Sequence, residues 1–314
     1  MKAPGIIQQL QSIDMQHRQT EQTHWVDSSL ARTVLMIIIV ILLNGCADTV
    51  SNMHRPTLAF TSYATGNGDI YTVRLDGTGL HRLTSSDAED MLPSWSPDNK
   101  RLVFRSFRDG NPEIYTMDSD GNNARRLTFH ETDDCNPKWS PTGDRIAFES
   151  LRDGNVAIFL MDTLGNELRK LTQEATSLNP TWSPDGRQIA FSSTMDGNYE
   201  IYTMYIDDAI PKRITFSNSW EKFPAWSPDG KKIAFVSERN DTTGVYVMNY
   251  DGTNQQLVIA NANQPAWLPD SDGIVFVMES EYELNLYSVR LNGTGLKKIS
   301  PGSMKPQFPA VHHP

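Results

Sequence analysis

The chain has 314 residues and a formal net charge of −10 at pH 7, from 38 acidic and 28 basic side chains. In residues 1–45, Lys2, Arg18 and Arg32 balance Asp14, Glu21 and Asp27, so the whole excess sits on residues 46–314. That excludes nucleic acid and anionic head groups as partners over a broad surface of the folded part. A compact all-β domain of this length can bury roughly three quarters of its unfolded surface, so one domain suffices. The first element in chain order is an apolar run over residues 34–43, with Arg32 just ahead of it. It has about half the length of a membrane-spanning helix and reads as the core of an export signal. The residues ahead of it are too many and too neutral for a usual leader, so translation is expected to begin nearer Leu30.

Leu43-Asn44-Gly45-Cys46 follows immediately and resembles the bacterial lipobox, with an apolar residue three before the cysteine and a small one next to it. The resemblance implies that Cys46 is acylated and becomes the new N-terminus. Residues 1–45 are then an export signal peptide, 46–56 a lipidated polar tether, and 57–314 the folded domain. The expected location is the bacterial cell envelope, as a periplasmic or outer-membrane-anchored lipoprotein held to the membrane through the lipid at Cys46. The other cysteine is Cys135, so an acylated Cys46 leaves no pair for an intramolecular disulfide. Stability must come from packing.

From residue 57 onward one pattern repeats. Trp95-Ser-Pro-Asp98, Trp139-Ser-Pro-Thr142, Trp182-Ser-Pro-Asp185, Trp226-Ser-Pro-Asp229 and Trp267-Leu-Pro-Asp270 follow one another at intervals of 44, 43, 44 and 41 residues. Each ends one apolar strand in a tight turn and starts the return strand. A second hairpin follows in every unit: Glu113-Ile-Tyr-Thr-Met117 or Glu200-Ile-Tyr-Thr-Met204, then Ser119-Asp-Gly121 or Tyr250-Asp-Gly252, then Arg126-Leu-Thr128 or Arg213-Ile-Thr215. A period of about 40–45 residues with four short strands per unit is the signature of a β-propeller blade. The third strand has six copies and the Trp hairpin five. The first unit starts at Thr57-Leu-Ala-Phe60 without an innermost strand, and Phe308-Pro-Ala-Val311 matches Phe223-Pro-Ala-Trp226. The prediction is an all-β, six-bladed propeller with four-stranded blades, closed by the C-terminal strand pairing into the first blade.

Written out as Pro, Trp-Ser-Pro-Asp-Gly, Ile-Ala-Phe, Ser-x-Arg-x-Gly, Ile-Tyr-x-Met, Asp-Gly and Leu-Thr, the repeat resembles that of TolB-like propellers over residues 57–311. TolB carries an additional N-terminal α/β domain, for which residues 47–56 leave no room, and it has no lipidated cysteine. The resemblance implies a monomeric protein-binding scaffold with an envelope protein as partner, a Pal-like lipoprotein among the candidates. Some TolB-like propellers also resemble metal-dependent lyases. The alternative is therefore a polysaccharide-acting lyase or hydrolase with its site in the propeller channel.

Because successive strands alternate in direction, loops joining strand four to the next blade share a face with loops joining strands two and three. That face collects Asp87, Glu89 and Asp90, then Glu131, Asp133 and Asp134 with Lys138 opposing them, and Glu279, Glu281 and Glu283. These belong to blades six, one, two and three and predict an acidic sector, with His130 beside it, around one mouth of the channel, suited to docking a basic or metal-bridged partner. The other face is expected to collect Arg125, Arg126, Arg169, Lys170, Lys212, Arg213, Lys297 and Lys298. Trp220 lies outside the repeat, on the acidic face, where an exposed aromatic would anchor a partner. His130 with Asp133, Asp134 and Cys135 matches no metal-ligand spacing, and Asp118-Ser-Asp120 lacks the glutamate of a calcium loop, so no metal or other cofactor is expected. The repeating Trp and Asp residues read as core and turn. There is no Gly-x-Ser-x-Gly elbow and no phosphate loop, so no catalytic residue is assigned. The terminal His312-His313 pair, placed near the acidic mouth, is expected to fray.

Overall fold

The computed structural model describes residues 57–313 apart from 174, 240, 281 and 282; the leader, the tether and Cys46 lie outside the described residues. All the regular structure described is β. The first blade is β1 (Thr57–Ser62), β2 (Asp69–Arg74) and β3 (His81–Arg82). The second is β4 (Asp90–Trp95), β5 (Arg101–Ser106), β6 (Glu113–Asp118) and β7 (Arg125–Arg126). The third is β8 (Asp134–Trp139), β9 (Arg145–Ser150), β10 (Ala157–Asp162) and β11 (Arg169–Lys170). The fourth is β12 (Ser177–Trp182), β13 (Gln188–Ser193), β14 (Glu200–Tyr205) and β15 (Lys212–Arg213). The fifth is β16 (Glu221–Trp226), β17 (Lys232–Arg239), β18 (Thr242–Asn249) and β19 (Gln256–Ala260). The sixth is β20 (Ala262–Trp267), β21 (Gly273–Ser280), β22 (Glu283–Arg290) and β23 (Lys297–Lys298).

The C-terminal strand β24 (Pro306–Val311) completes blade one, in the order β24-β1-β2-β3. Leu58 faces Val311 and Ala59 faces Ala310 across this antiparallel closure. The ring is thus fastened by the two ends of the propeller sequence, as the unequal repeat counts require.

Continuous burial replaces alternation in the second strands, because a neighbouring blade covers each of their faces. Phe60, Phe104, Phe148, Phe191, Phe235 and Phe276 occupy the same position in six blades and are all 0% exposed. Each meets the aromatic ring of its own third strand, as Phe104 meets Tyr115 at 5.8 Å and Phe276 meets Tyr287 at 6.1 Å. Full burial of such a side chain contributes roughly 1.5–3 kcal/mol, so this layer is the main apolar term of every blade.

The Ser and Asp of the Trp hairpins are spent on the turn. In blade two Ser96 Oγ donates to Asp98 at 2.6 Å and accepts from Arg101 N at 2.9 Å. Ser183-Asp185 and Ser227-Asp229 repeat the bond at 2.6 and 2.7 Å.

Five outer strands are only two residues long, and in blades one, two and four a carboxylate of the third strand locks them. In blade four the buried Glu200 accepts Arg213 Nη2 at 2.6 Å, Thr215 Oγ1 at 2.5 Å and Ser217 N at 2.7 Å. Glu113 with Arg126 and Thr128, and Asp69 with Arg82, do the same in blades two and one. Blade five has Gly244 at this position, and a Cβ there would lie 2.7 Å from Leu257 Cδ1 and 3.0 Å from Ile259 O. The missing side chain lets β19 run five residues and pair as far as Gly244–Ala260, so backbone bonds replace the carboxylate lock.

Candidate functional site

Two regions at opposite ends of the channel could meet a ligand. At the loop face, Asp87, Glu131, Asp133, Glu279 and Glu283 are exposed and Glu89 is half-buried. None of the six forms an ion pair among the described residues. Glu281 lies outside the described residues.

Asp90 and Asp134 differ from the rest of this set. Both carboxylates are wholly buried and pair with Arg108 and Arg152, at 2.7 and 2.8 Å. Glu221 does the same with Arg239 at 3.1 Å. These acids open the innermost strand, where they anchor the Arg of Ser-x-Arg instead of facing a partner. His130 is also held by the fold: its backbone N donates to Glu113 at 2.8 Å, and its Nδ1 meets Thr132 Oγ1 at 2.9 Å.

Trp220 is 56% exposed on the same face. Its ring and that of Tyr199 sandwich the Lys222 ammonium, at 4.5 and 4.0 Å. Partial burial between them lowers the lysine pKa. Trp220 thus presents an edge stiffened by a cation–π contact.

The basic residues do not segregate as the turn count implies. The second member of three outer pairs reaches back across the sheet: Arg126 to Asp109 and Glu113, Lys170 to Asp153, Arg213 to Asp196 and Glu200. Alternation along even a two-residue strand puts its two side chains on opposite faces of the blade.

At the other end a cavity of about 600 Å³ opens among the Trp hairpins. Its wall is built by a bulge that recurs in every innermost strand, where the residue before Pro has positive φ: Leu92 at 57°, Asn136 at 48°, Asn179 at 55°, Phe223 at 52°, Gln264 at 53° and Phe308 at 53°. Proline has no N–H to give the ladder, so the register shifts there, between Lys222 and Ala225 in blade five for example. All six side chains line the cavity. Residues in this conformation cost of order 1–3 kcal/mol each unless they are Asn or Gly.

Lys138 is not in the acidic loop; it lies in β8 and lines this cavity, with His313 the other titratable group of the lining. The C-terminal histidines are ordered at the hairpin face, away from the acidic mouth. His312 N donates to Thr57 O at 2.8 Å, its ring meets Trp95 edge-on at 5.8 Å, and Asn99 Nδ2 donates to His313 O at 3.3 Å. Among the described residues no three His, Cys, Asp or Glu side chains gather closely enough to hold a metal ion. The channel lining of prolines, aromatics, amides and one lysine is not a metal donor set. Cys135 is half-buried, and burial pushes its thiol up to about 11, far from a reactive thiolate.

Six four-stranded blades around a lined channel, closed by a strand from the chain end, define a six-bladed β-propeller. The sequence matches the TolB beta propeller domain over residues 54–186 and 173–311, and the chain belongs to that family. TolB from Acinetobacter baumannii is 22% identical, with a TM-score of 0.75 over 92% of this chain and 74% of that one. A protein described as TolB from Agrobacterium tumefaciens is 21% identical, with a TM-score of 0.65 over 80% and 92%. Hydrazine synthase from Kuenenia stuttgartiensis is 16% identical, with a TM-score of 0.69 over 82% of this chain and 46% of that one. At these identities the likeness is one of fold. A comparison with curated proteins gave no match.

Proposed function

We propose that this chain is a non-enzymatic lipoprotein of the bacterial envelope, exported by residues 1–45, anchored through an acylated Cys46, and binding a protein partner with its propeller. The carrying observation is the loop face. Its carboxylates Asp87, Glu89, Glu131, Asp133, Glu279 and Glu283 remain outside the ion pairs that occupy Asp90, Asp134 and Glu221. Charges outside internal ion pairs raise association rate and specificity toward a basic surface, and Trp220 supplies an aromatic anchor beside them. Membership of the TolB propeller family supports a binding role, and a Pal-like peptidoglycan-associated lipoprotein is the first partner to test.

The test is titration calorimetry of the purified full chain against such a lipoprotein, beside a variant carrying Asp87→Ala, Glu89→Ala, Glu131→Ala, Asp133→Ala and Trp220→Ala. Binding by the first, weakened at least tenfold in the second and by added salt, is expected. Equal binding by both removes the loop face from the reading. Metabolic labelling with a palmitate analogue should mark the wild type and leave Cys46→Ala unlabelled.

A further inference from the structure

The channel wall contains a cation with no hydrogen bond or ion pair of its own among the described residues. At the level of Lys138 the other innermost strands carry Ser94, Thr181, Ala225, Ala266 and Ala310, so one long basic side chain stands in a ring of small ones. Among the described residues the Lys138 ammonium donates no hydrogen bond and forms no ion pair. Glu149, on β9, is the carboxylate that attracts it. Glu149 Oε1 is already committed, accepting Asn136 Nδ2 at 2.7 Å and Asn179 N at 2.6 Å.

A second cation stands behind them. Arg105, on β5, donates to Met91 Sδ at 2.8 Å and Cys135 Sγ at 3.7 Å, and its Nε is buried without a partner. Its charge acts on Glu149 as well. The wall between blades two and four therefore holds Lys138 and Arg105 around Glu149, with Asp133 acting on the neighbouring Cys135, and of these charges only Lys138 lines the cavity, where His313 is the other titratable group. Lys138 is half-buried in this wall, and burial pulls its pKa down to about 8 against the attraction of Glu149. An ammonium so placed is destabilising until an anion meets it.

Other lining groups limit the shape of that anion. Phe223 and Phe308 offer apolar walls, while the Asn179 amide and Gln264 Nε2 donate no hydrogen bond among the described residues. We propose that the channel binds a small organic monocarboxylate with an apolar body, its carboxylate paired with Lys138 and its body held between Phe223 and Phe308. A cavity of about 600 Å³ suits such a ligand. The site opens on the face opposite the acidic loops, so it stands or falls independently of the docking surface there.

The experiment is calorimetric titration of the purified full chain with octanoate, phenylacetate and N-acetylphenylalanine, each beside its neutral amide. At least one acid should bind at pH 7 and its amide at least tenfold more weakly. Because binding needs the charged lysine, affinity should hold below pH 8 and fall about tenfold from pH 7 to pH 9. Lys138→Arg should keep the preference for the acid and Lys138→Met abolish it, with the melting temperature of Lys138→Met unchanged or raised. Three results overturn the proposal: no acid binds, acid and amide bind alike, or peptides of three or more residues bind more tightly than these acids. A lowered melting temperature for Lys138→Met also overturns it, since the lysine would then be structural.

Discussion

Removing the carboxylate of Glu200 tests the lock that holds a two-residue outer strand to its blade. The side chain is wholly buried and accepts three hydrogen bonds, from a guanidinium, a hydroxyl and a backbone N–H. Glu200→Ala leaves Arg213, Thr215 and Ser217 without that acceptor. Breaking a buried pair from one side typically costs about 3–5 kcal/mol. Arg213 keeps Asp196 at 3.3 Å and is 23% exposed, so the lower end applies, about 3 kcal/mol. For a domain of this size that corresponds to a fall in melting temperature of about 6–12 °C. Differential scanning calorimetry and urea melts measure it, with the exposed Glu131→Ala as control, expected within about 0.5 kcal/mol of wild type. Adding Arg213→Met to Glu200→Ala should recover part of the loss, because the stranded cation is gone. A Glu200→Ala loss under about 1 kcal/mol, or a further loss in the double variant, would refute the reasoning.

Two phenylalanines of blade five should respond with opposite sign. Phe223→Asn relieves a φ of 52° that Asn tolerates and should leave stability unchanged or raise it by about 1 kcal/mol, whereas the 0%-exposed Phe235→Ala should cost about 3–5 kcal/mol in the same urea melts. Native Cys135, with its thiol pushed up to about 11, should react with maleimide at pH 8 at least a hundredfold more slowly than in the unfolded chain, as read by mass spectrometry of its peptide; a rate within tenfold would contradict its burial. Burial against Trp95 lowers the pKa of His312 below 6.5. The unfolded chain therefore takes up the proton first, so stability is intact above pH 6.5 and falls as pH drops below it. His312→Phe should reduce that dependence between pH 7.5 and 5, and the remainder should come from His313, which burial pulls down to about 4.

The fold was legible because each blade repeats its own instructions, and the count of six third strands against five Trp hairpins left one arrangement for the chain end. The loop face was legible only in part. Asp90 and Asp134 look like their exposed neighbours, yet the sequence held a signal that separates them. Blades two, three and five pair an acid at the start of the innermost strand with Arg108, Arg152 or Arg239, while blades one and four have Pro306 and Ser177 there, with Ala64 and Met195 where the Arg would be. Acid and arginine come and go together, as partners do. The depth of Lys138 had no such marker. In the linear chain it follows a run of acids, and only ring closure, with the bulge before Pro137, turns its position toward a cavity.

The unequal outer strands bear on how copies of this protein behave toward one another. Closing a ring of blades leaves six outward edges, and a two-residue edge such as β7 or β15 offers too few free backbone groups to template another strand. Blade five ends in a five-residue outer strand, β19, in which Val258 and Ile259 are buried and Leu257 is 49% exposed. The glycine that makes room for the longer β19 leaves blade five the longest outward edge among the described residues, and a charged residue in place of Leu257 is the change that would blunt it.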